Sequence, residues 1–364
     1  MSETPSPPPP SFLPRLLGRL GVLSDLRRRW RADYEAALNK SGARVEARFA
    51  KLETRLAKLE PRLAHLEAGV AAGDLASRVD AVEHETACLR DLLTFDREHR
   101  ERRHDPVVLT TSHVAPHAAA AIAQAALCDD PMPHVVVHDL LPPDTYAALI
   151  DAIPPQLCFS RRDAEKMNFK LAQADLFPEW TDTGIGFVER TLIPEILVPS
   201  LVAKFRDAIA ETYAARYGPA QGAQVAALPH YASAGRLMLR RPGYHLDPHL
   251  DPRRVIVTCL LYLARPGDSE AFGTTFHRIE GAPEATQRGT YYPEHDGYRC
   301  TLVKAAAFTP NTAVAFLNAG GAHGADIPAS APKRTERYAY QFYVSPDGDA
   351  LTEIAGDRAA DHDH

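Results

Sequence analysis

Two short patterns in the second half of the chain combine residue types that bind a transition metal. His249 and Asp251 stand two positions apart in the run PHLD, and His323 follows much further along the chain. Two imidazoles and one carboxylate on one face of a metal ion are the ligand set of mononuclear non-haem iron sites, where the remaining coordination positions stay open for chemistry. We therefore take these three residues as a candidate iron site, with Arg337, at the head of a strand-like run, as a fourth residue of interest.

The spacing of the His-x-Asp pair fits an extended segment. Side chains alternate between the two faces of a strand, so His249 and Asp251 point the same way and can hold one ion together. His245 and Asp247 share this parity and form a second His-x-Asp pair, so alternation alone leaves both pairs open. The pair His249 and Asp251 lies nearer to the apolar strand predicted at 255–263, and this context favours it as the ligand pair.

The sequence around these residues predicts a domain rich in β-structure. From about residue 225, the short runs GRLMLRR, RVIVTCLLYLA, AVAFLNA and RYAYQFYV alternate with turn residues, which is typical of a sandwich or jelly roll. Upstream, PHVVVHD predicts a strand from His134, a helix is expected to begin near Pro143, and a longer helical pattern covers 195–217. The predicted fold class is therefore α+β, with helices flanking the β-structure.

In combination, these runs resemble a known enzyme family. RRPGYHLDPHLDPRRVIVTCLLYLARP, FGTTFHR, FTPNTAVAFLNAGGAHGADIP and ERYAYQFYV follow one another between about 236 and 345. This order resembles the Fe(II)/2-oxoglutarate-dependent dioxygenases, specifically their prolyl-hydroxylase-like branch. The resemblance implies a catalytic domain built as a double-stranded β-helix (jelly-roll, cupin-like). It also implies Fe(II), with 2-oxoglutarate and O2 as co-substrates, succinate and CO2 as co-products, and ascorbate as a candidate reductant.

The same resemblance assigns roles to single residues. It assigns the iron to three ligands, His249, Asp251 and His323. It assigns the distal carboxylate of 2-oxoglutarate to Arg337, whose planar guanidinium matches both carboxylate oxygens. Arg334 is a rival for this role, but strand residues follow Arg337 directly, as they follow the family's arginine. Tyr262, in TCLLYL, matches a position whose hydroxyl reaches the same carboxylate, and an ordinary core tyrosine is the alternative.

The first third of the chain differs in character from the rest. Apolar residues between Val45 and Val70 recur at alternating intervals of 4 and 3 residues, a heptad pattern that predicts a long coiled-coil helix and a homo-oligomer. A surface helix folded back on the catalytic domain is the alternative. Residues 12–31 contain six Arg and one Asp, so this amphipathic segment either contacts an anionic membrane surface peripherally or packs as a solvated helix within an oligomer.

Composition narrows the classes of function. The chain has 364 residues, with 41 basic and 47 acidic side chains and a net charge of -6, which argues against a dedicated nucleic-acid binder. Its five cysteines are widely spaced without a CxxC pair, so neither a disulfide framework nor a thiolate zinc site is predicted. No secretory signal is predicted either, and we expect a cytoplasmic protein.

These observations together predict five parts: a disordered tail (1–11), a basic amphipathic and coiled-coil region (12–105), a linker or helix (106–133), the dioxygenase domain (134–348) and a disordered tail (349–364). The predicted function is hydroxylation of an unidentified substrate, which is a protein side chain such as proline, a small molecule or a glycan precursor. Specificity is expected to lie in the loop 266–300 and the segment 156–192, read as helical. A non-catalytic jelly-roll binding module on an oligomerising coiled coil is one alternative, and a zinc hydrolase is another.

Overall fold

The computed structural model describes residues 105–161, 163–174, 177–281 and 289–355, together with Leu92, Thr94, Phe95 and Glu98. Backbone contacts divide the chain into two units, Met1–Arg102 and Arg103–His364, and the second unit contains the β-structure. The heptad pattern at 45–70 and the basic segment 12–31 lie outside the described residues, so the coiled coil, the oligomer and the membrane contact stay predictions. Within the described part of the chain, every helix is too short or too polar to cross a membrane.

Two antiparallel sheets form the centre of the described structure. Its strands are β1 (His134–Val137), β2 (Ser160–Arg161), β3 (Lys166–Phe169), β4 (His230–Arg240), β5 (His245–His249), β6 (Val257–Tyr262), β7 (Thr274–Glu280), β8 (Arg299–Ala306), β9 (Thr312–Leu317), β10 (Gly321–Asp326) and β11 (Arg337–Pro346). The larger sheet has the order β1-β9-β6-β11-β4-β3-β2, and the smaller has the order β5-β10-β7-β8. Strands β4 to β11 pass between the two sheets as they do in a jelly roll, so the predicted α+β fold is confirmed.

Helices cover the outer face of the larger sheet. They are α1 (Thr111–Gln124), α2 (Pro143–Asp151), α3 (Glu179–Phe187), a π-helix (Val188–Leu197), α4 (Val198–Lys204), α5 (Arg206–Tyr217), α6 (Pro219–Ala226) and α7 (Gly348–Ala355). Buried apolar residues of these helices and of the sheet form one continuous core. Both β6 and β9 are buried along their whole length, because helices cover one face and the smaller sheet covers the other. This double burial explains their nearly continuous apolar sequences.

The alternation along β11 decides which side chains point between the sheets. Tyr338, Tyr340 and Phe342 belong to the core beneath the helices, whereas Ala339 packs in the second core between the two sheets. Arg337 shares the parity of Ala339 and therefore points into the space between the sheets, although it is charged. A cation in this position requires a functional explanation, because burying an unpaired charge is unfavourable.

Tertiary contacts shape three segments of the chain. Helix α1, in the segment 106–133 predicted to be a linker or helix, places Val114, Ala118 and Ile122 in the main core. Helix α7 occupies the start of the predicted C-terminal tail, and its Leu351 is buried. The segment 156–192 is only partly helical, since it contains β2 and β3. In each case, tertiary packing stabilises an element whose local sequence signal is weak.

Candidate metal centre

The structure brings the three predicted ligands together between the sheets. His249 ends β5 and His323 lies directly opposite it on β10, while Asp251 follows β5 in the loop that leads to β6. The Nε2 atom of His249 lies 3.9 Å from Oδ1 of Asp251, and Nε2 of His323 lies 3.6 Å from Oδ2. One donor atom from each residue falls within 4.8 Å of the others, and all three residues are buried. The chain therefore presents a preformed set of donors to one ion.

Hydrogen bonding orients one imidazole for a metal, and burial prepares the other. The Nδ1 atom of His249 lies 2.9 Å from the carbonyl oxygen of Asp247, so Nδ1–H donates to that oxygen and Nε2 is the nitrogen that faces the carboxylate of Asp251. Burial and, next, the neighbouring His249 lower the pKa of His323 to about 3. His323 is therefore neutral at physiological pH, which is the form that binds a metal ion.

Three side chains hold Asp251 in place. The hydroxyl of Tyr343 donates to its Oδ1 over 3.0 Å, and the hydroxyl of Thr258 donates to its Oδ2. The side chain of Asn318 accepts from the backbone N–H of Asp251 over 3.0 Å and donates to its carbonyl oxygen over 2.8 Å. Asn318 also donates to the carbonyl oxygens of Pro252 and Val255. Such contacts orient a ligand before the metal arrives.

The second His-x-Asp pair lies outside this centre. His245 is exposed, and its two ring nitrogens lie 2.8 Å from Asp247 and 2.9 Å from Asp326. Hydrogen bonds that His245 donates to the carboxylates of Asp326 and, next, Asp247 raise the pKa of His245. The choice between two pairs of equal parity, which alternation left open, is thus made by the pairing of β5 with β10.

Arg337 lines the same cavity as the three ligands. It is 2% exposed, and its Nε and Nη2 atoms have no hydrogen-bond partner among the described residues. Its guanidinium carbon lies 5.2 Å from the ring centroids of both Tyr262 and Phe308. Arg334, the rival in sequence, is exposed and does not line the cavity. A buried guanidinium with unpaired donors is suited to a carboxylate that arrives with a ligand.

Tyr262 is fully buried, and its ring lies beneath Arg337. Its hydroxyl donates to Oγ1 of Thr274 over 2.7 Å and accepts from the backbone N–H of Thr274 over 2.9 Å. Thr274, rather than Tyr262, lines the cavity. A contact between the Tyr262 hydroxyl and 2-oxoglutarate therefore stays a prediction, whereas support of the arginine by the tyrosine ring is seen directly.

Sequence reasoning missed several supporting residues of the centre. Tyr343 has the parity of Arg337 on β11, so alternation along the strand contained the signal for it. Gly273, in FGTTFHR, precedes Thr274 where any side chain would collide, since a Cβ there would lie 1.6 Å from the carbonyl oxygen of Ala306. Asn318 had no such signal, because it reaches Asp251 across 67 positions of the sequence.

The residues present fit Fe(II) and 2-oxoglutarate. The donor set has two imidazoles and one carboxylate, and leaves positions open on an octahedral ion, as in non-haem iron oxygenases. The free donors of Arg337 open onto the same cavity. A molecule that chelates the ion at one end and ends in a carboxylate would satisfy both features at once.

The chain was compared with known proteins and structures. No protein-family model matches it, and no curated protein matches it. Among solved structures, a Pseudomonas putida prolyl-4-hydroxylase has 17% identity and a TM-score of 0.32 over 64% of this chain and 100% of its own. A Trichoplax adhaerens prolyl hydroxylase, in complex with a hypoxia-inducible-factor peptide, has 13% identity and a TM-score of 0.35 over 66% and 91% of the two chains. HygX from Streptomyces hygroscopicus, with nickel, 2-oxoglutarate and hygromycin B bound, has 13% identity and a TM-score of 0.34 over 60% and 84%.

Proposed function

We propose that the chain is an Fe(II)- and 2-oxoglutarate-dependent dioxygenase that hydroxylates a carbon of its substrate. The observation that carries this proposal is the buried triad of His249, Asp251 and His323 in one cavity with the unpaired guanidinium of Arg337. A triad alone fits a zinc hydrolase as well, and a jelly roll alone fits a non-catalytic binding module. Neither alternative explains why Arg337 is buried with unpaired donors, although burying its charge is unfavourable.

The residues of the chain bind, orient and desolvate the reactants. Bound iron and 2-oxoglutarate supply the oxidising chemistry, in which O2, 2-oxoglutarate and a C–H bond are converted to succinate, CO2 and an alcohol. The triad would hold the ion through its two imidazoles and one carboxylate, and the ion would bind and activate the co-substrate. Arg337 would hold the far carboxylate of the co-substrate and so orient its other end towards the triad. Apolar side chains of Met238 and Leu260 line the cavity and limit the access of water.

The test is conversion of 2-oxoglutarate to succinate by the full chain, with Fe(II) and O2 and with a cell extract as the source of substrate. We expect succinate formation to require added Fe(II) and to fall at least 100-fold in His249→Ala, because loss of a metal ligand removes the ion. The matched control is His245→Ala, which alters the other His-x-Asp pair while leaving the triad intact. It should retain the wild-type rate and iron content.

Two outcomes would contradict the proposal. One is a protein that binds Fe(II) and 2-oxoglutarate but forms no succinate with any extract, as expected of a binding module. The other is hydrolytic activity that depends on Zn²⁺ and is indifferent to Arg337→Met, as expected of a zinc hydrolase. Mass spectrometry of the extract, comparing wild type with His249→Ala, should reveal a product that has gained one oxygen atom.

A further inference from the structure

The cavity beside the triad carries more positive charge than iron and 2-oxoglutarate require. Four cations line it, namely Lys166, Arg236, Arg240 and Arg337, whereas Asp251 is the one carboxylate among the described lining residues. Under the proposed function, Asp251 binds the metal and Arg337 binds the distal carboxylate of the co-substrate. Three cations then have no assigned partner in the reaction.

Three of these cations form a row across neighbouring strands. Lys166 on β3 lies opposite Arg240 on β4, and Arg240 lies opposite Arg337 on β11. Residues directly opposite in antiparallel strands project from the same face with Cβ atoms about 5 Å apart, and like charges in such pairs are destabilising. Repulsion between these cations therefore destabilises the empty cavity, and an anion that enters the cavity reduces this repulsion.

The contacts of the first two cations in this row are not with carboxylates. Arg240 is 2% exposed and donates to the carbonyl oxygen of Met167 over 2.7 Å and to Oδ1 of Asn168 over 3.0 Å. Its positive charge is thus solvated by neutral groups and remains available to a ligand. Lys166 is exposed, and its ammonium group has no hydrogen bond or ion pair among the described residues. Its ammonium group is free to approach a ligand at the cavity mouth.

Arg236 is the fourth cation of the cavity, and it lies on the side of the three metal ligands. It lies on β4 with the same parity as Arg240, so both side chains point into the cavity. Its Nη2 atom donates to Oε1 of Gln341, and its guanidinium carbon lies 5.8 Å from the ring centroid of Tyr343. The hydroxyl of Tyr343 in turn donates to Asp251. The ring of Tyr343 therefore lies between Arg236 and the metal ligand Asp251. The hydrogen-bond partner of Arg236, Gln341, is neutral, so the charge of Arg236 stays uncompensated.

We propose that the substrate carries an anionic group, a carboxylate or a phosphate, which binds to Lys166 and Arg236 while Arg240 adds to the local positive potential. This inference rests on the proposed function and names the chemical class of its substrate. The guanidinium of Arg236 suits bidentate contact with either anion, and Lys166 contributes a mobile point charge. The anion positions the substrate carbon beside the metal, between Tyr343 and the mouth of the cavity.

The experiment measures the affinity of the protein for inorganic phosphate, which serves as a probe of the anion site. Phosphate is titrated by calorimetry into the full chain loaded with Fe(II) and 2-oxoglutarate in the absence of O2, and separately into the chain loaded with Fe(II) alone. We expect the double variant Lys166→Met/Arg236→Met to bind phosphate at least tenfold more weakly. The charge-retaining variant Lys166→Arg/Arg236→Lys should bind phosphate more tightly than the methionine variant and more weakly than wild type, because it keeps both charges but loses the bidentate contact of Arg236. The control Arg334→Met, which removes an exposed cation outside the cavity, should bind phosphate as wild type does.

Three results would overturn the inference. Phosphate binding that is absent from wild type, or equal in wild type and the double variant, removes the anion site. A tenfold loss of 2-oxoglutarate affinity in the double variant assigns the cations to the co-substrate instead. An oxygenated product that carries no anionic group excludes the proposed substrate class. Failure of wild type to bind 2-oxoglutarate would instead contradict the proposed function, and the titration without 2-oxoglutarate still measures the anion site in that case.

Discussion

Replacing Arg337 by methionine is expected to change stability and ligand binding in opposite directions. Arg337 is 2% exposed, and two of its nitrogens lack partners among the described residues. A buried donor left unsatisfied costs about 1–3 kcal/mol, and methionine of similar length removes this cost. Without 2-oxoglutarate, the variant should therefore be more stable than wild type by about 1–3 kcal/mol. For a domain of this size, that corresponds to a rise in Tm of roughly 2–12 °C.

With 2-oxoglutarate present, the difference in stability should shift in favour of wild type by about 2–3 kcal/mol. Truncating one partner of a buried, hydrogen-bonded charge pair costs about 2–5 kcal/mol, which is a loss in 2-oxoglutarate affinity of roughly 30- to 4,000-fold. At a ligand concentration of 100 times the Kd, wild type gains about 2.7 kcal/mol in stability. At the same concentration the variant gains about 0.9 kcal/mol if its affinity falls 30-fold and almost nothing if it falls 4,000-fold. Thermal unfolding of the Fe(II)-loaded protein, with and without 2-oxoglutarate under anaerobic conditions, measures both effects.

Arg240→Met is the matched control for this experiment. Arg240 lies directly opposite Arg337 and is equally buried, but its guanidinium donates to Met167 and Asn168. Its loss leaves buried acceptors unpaired and should lower stability by about 1–3 kcal/mol. The reasoning is refuted if Arg337→Met is less stable than wild type without 2-oxoglutarate and keeps the wild-type affinity for it.

Three further predictions concern the surroundings of the metal centre. Asn318→Ala removes the side chain that holds the loop between β5 and β6, and it should weaken Fe(II) binding about 10- to 100-fold, measured by competition with a chelator. Unchanged affinity would show that this loop keeps its shape without Asn318. Tyr343→Phe removes a hydrogen-bond donor to Asp251 and should weaken Fe(II) binding by a similar factor. The control Tyr338→Phe, on the opposite face of the same strand, should leave Fe(II) binding unchanged. Equal effects of the two substitutions would contradict the role of the Tyr343 hydroxyl. Hydrogen bonds donated to the carboxylates of Asp326 and Asp247 raise the pKa of His245, so their stabilising contribution is present near pH 6 and is lost as the pH rises through this raised pKa. His245→Gln should therefore lower Tm at pH 6 and leave it nearly unchanged at pH 9, and an equal loss at both pH values would argue against the charged pair.

The sequence allowed the centre of the molecule to be predicted because its signals are local or follow a short period. His249 and Asp251 are two residues apart on an extended segment, and Arg337 opens a strand whose alternation is clear. The apolar runs RVIVTCLLYLA and AVAFLNA predicted two strands, which the structure shows as β6 and β9. Each of these inferences depends on backbone geometry that repeats every two residues, and the structure agrees with each.

Other features depended on partners far away in sequence. Helix α1 has few local signals, and its place in the core follows from packing against the π-helix and α4. Asn318 supports Asp251 only because β9 ends beside the ligand loop. The contribution of Lys166 to the cavity follows from the pairing of β3 with the edge of β4, in a segment that the sequence had suggested was helical.

By itself, the sequence determined which residue types can bind a metal, which strands alternate and which arginine opens the last strand, since all of these are properties of neighbouring residues. Only the tertiary structure decided that His323 lies opposite His249, that His245 faces solvent, and that, among the described residues, four cations share one cavity with a single carboxylate. The physical reason is that strand register sets which distant side chains meet. Register is fixed by the packing of the whole sheet rather than by any one segment.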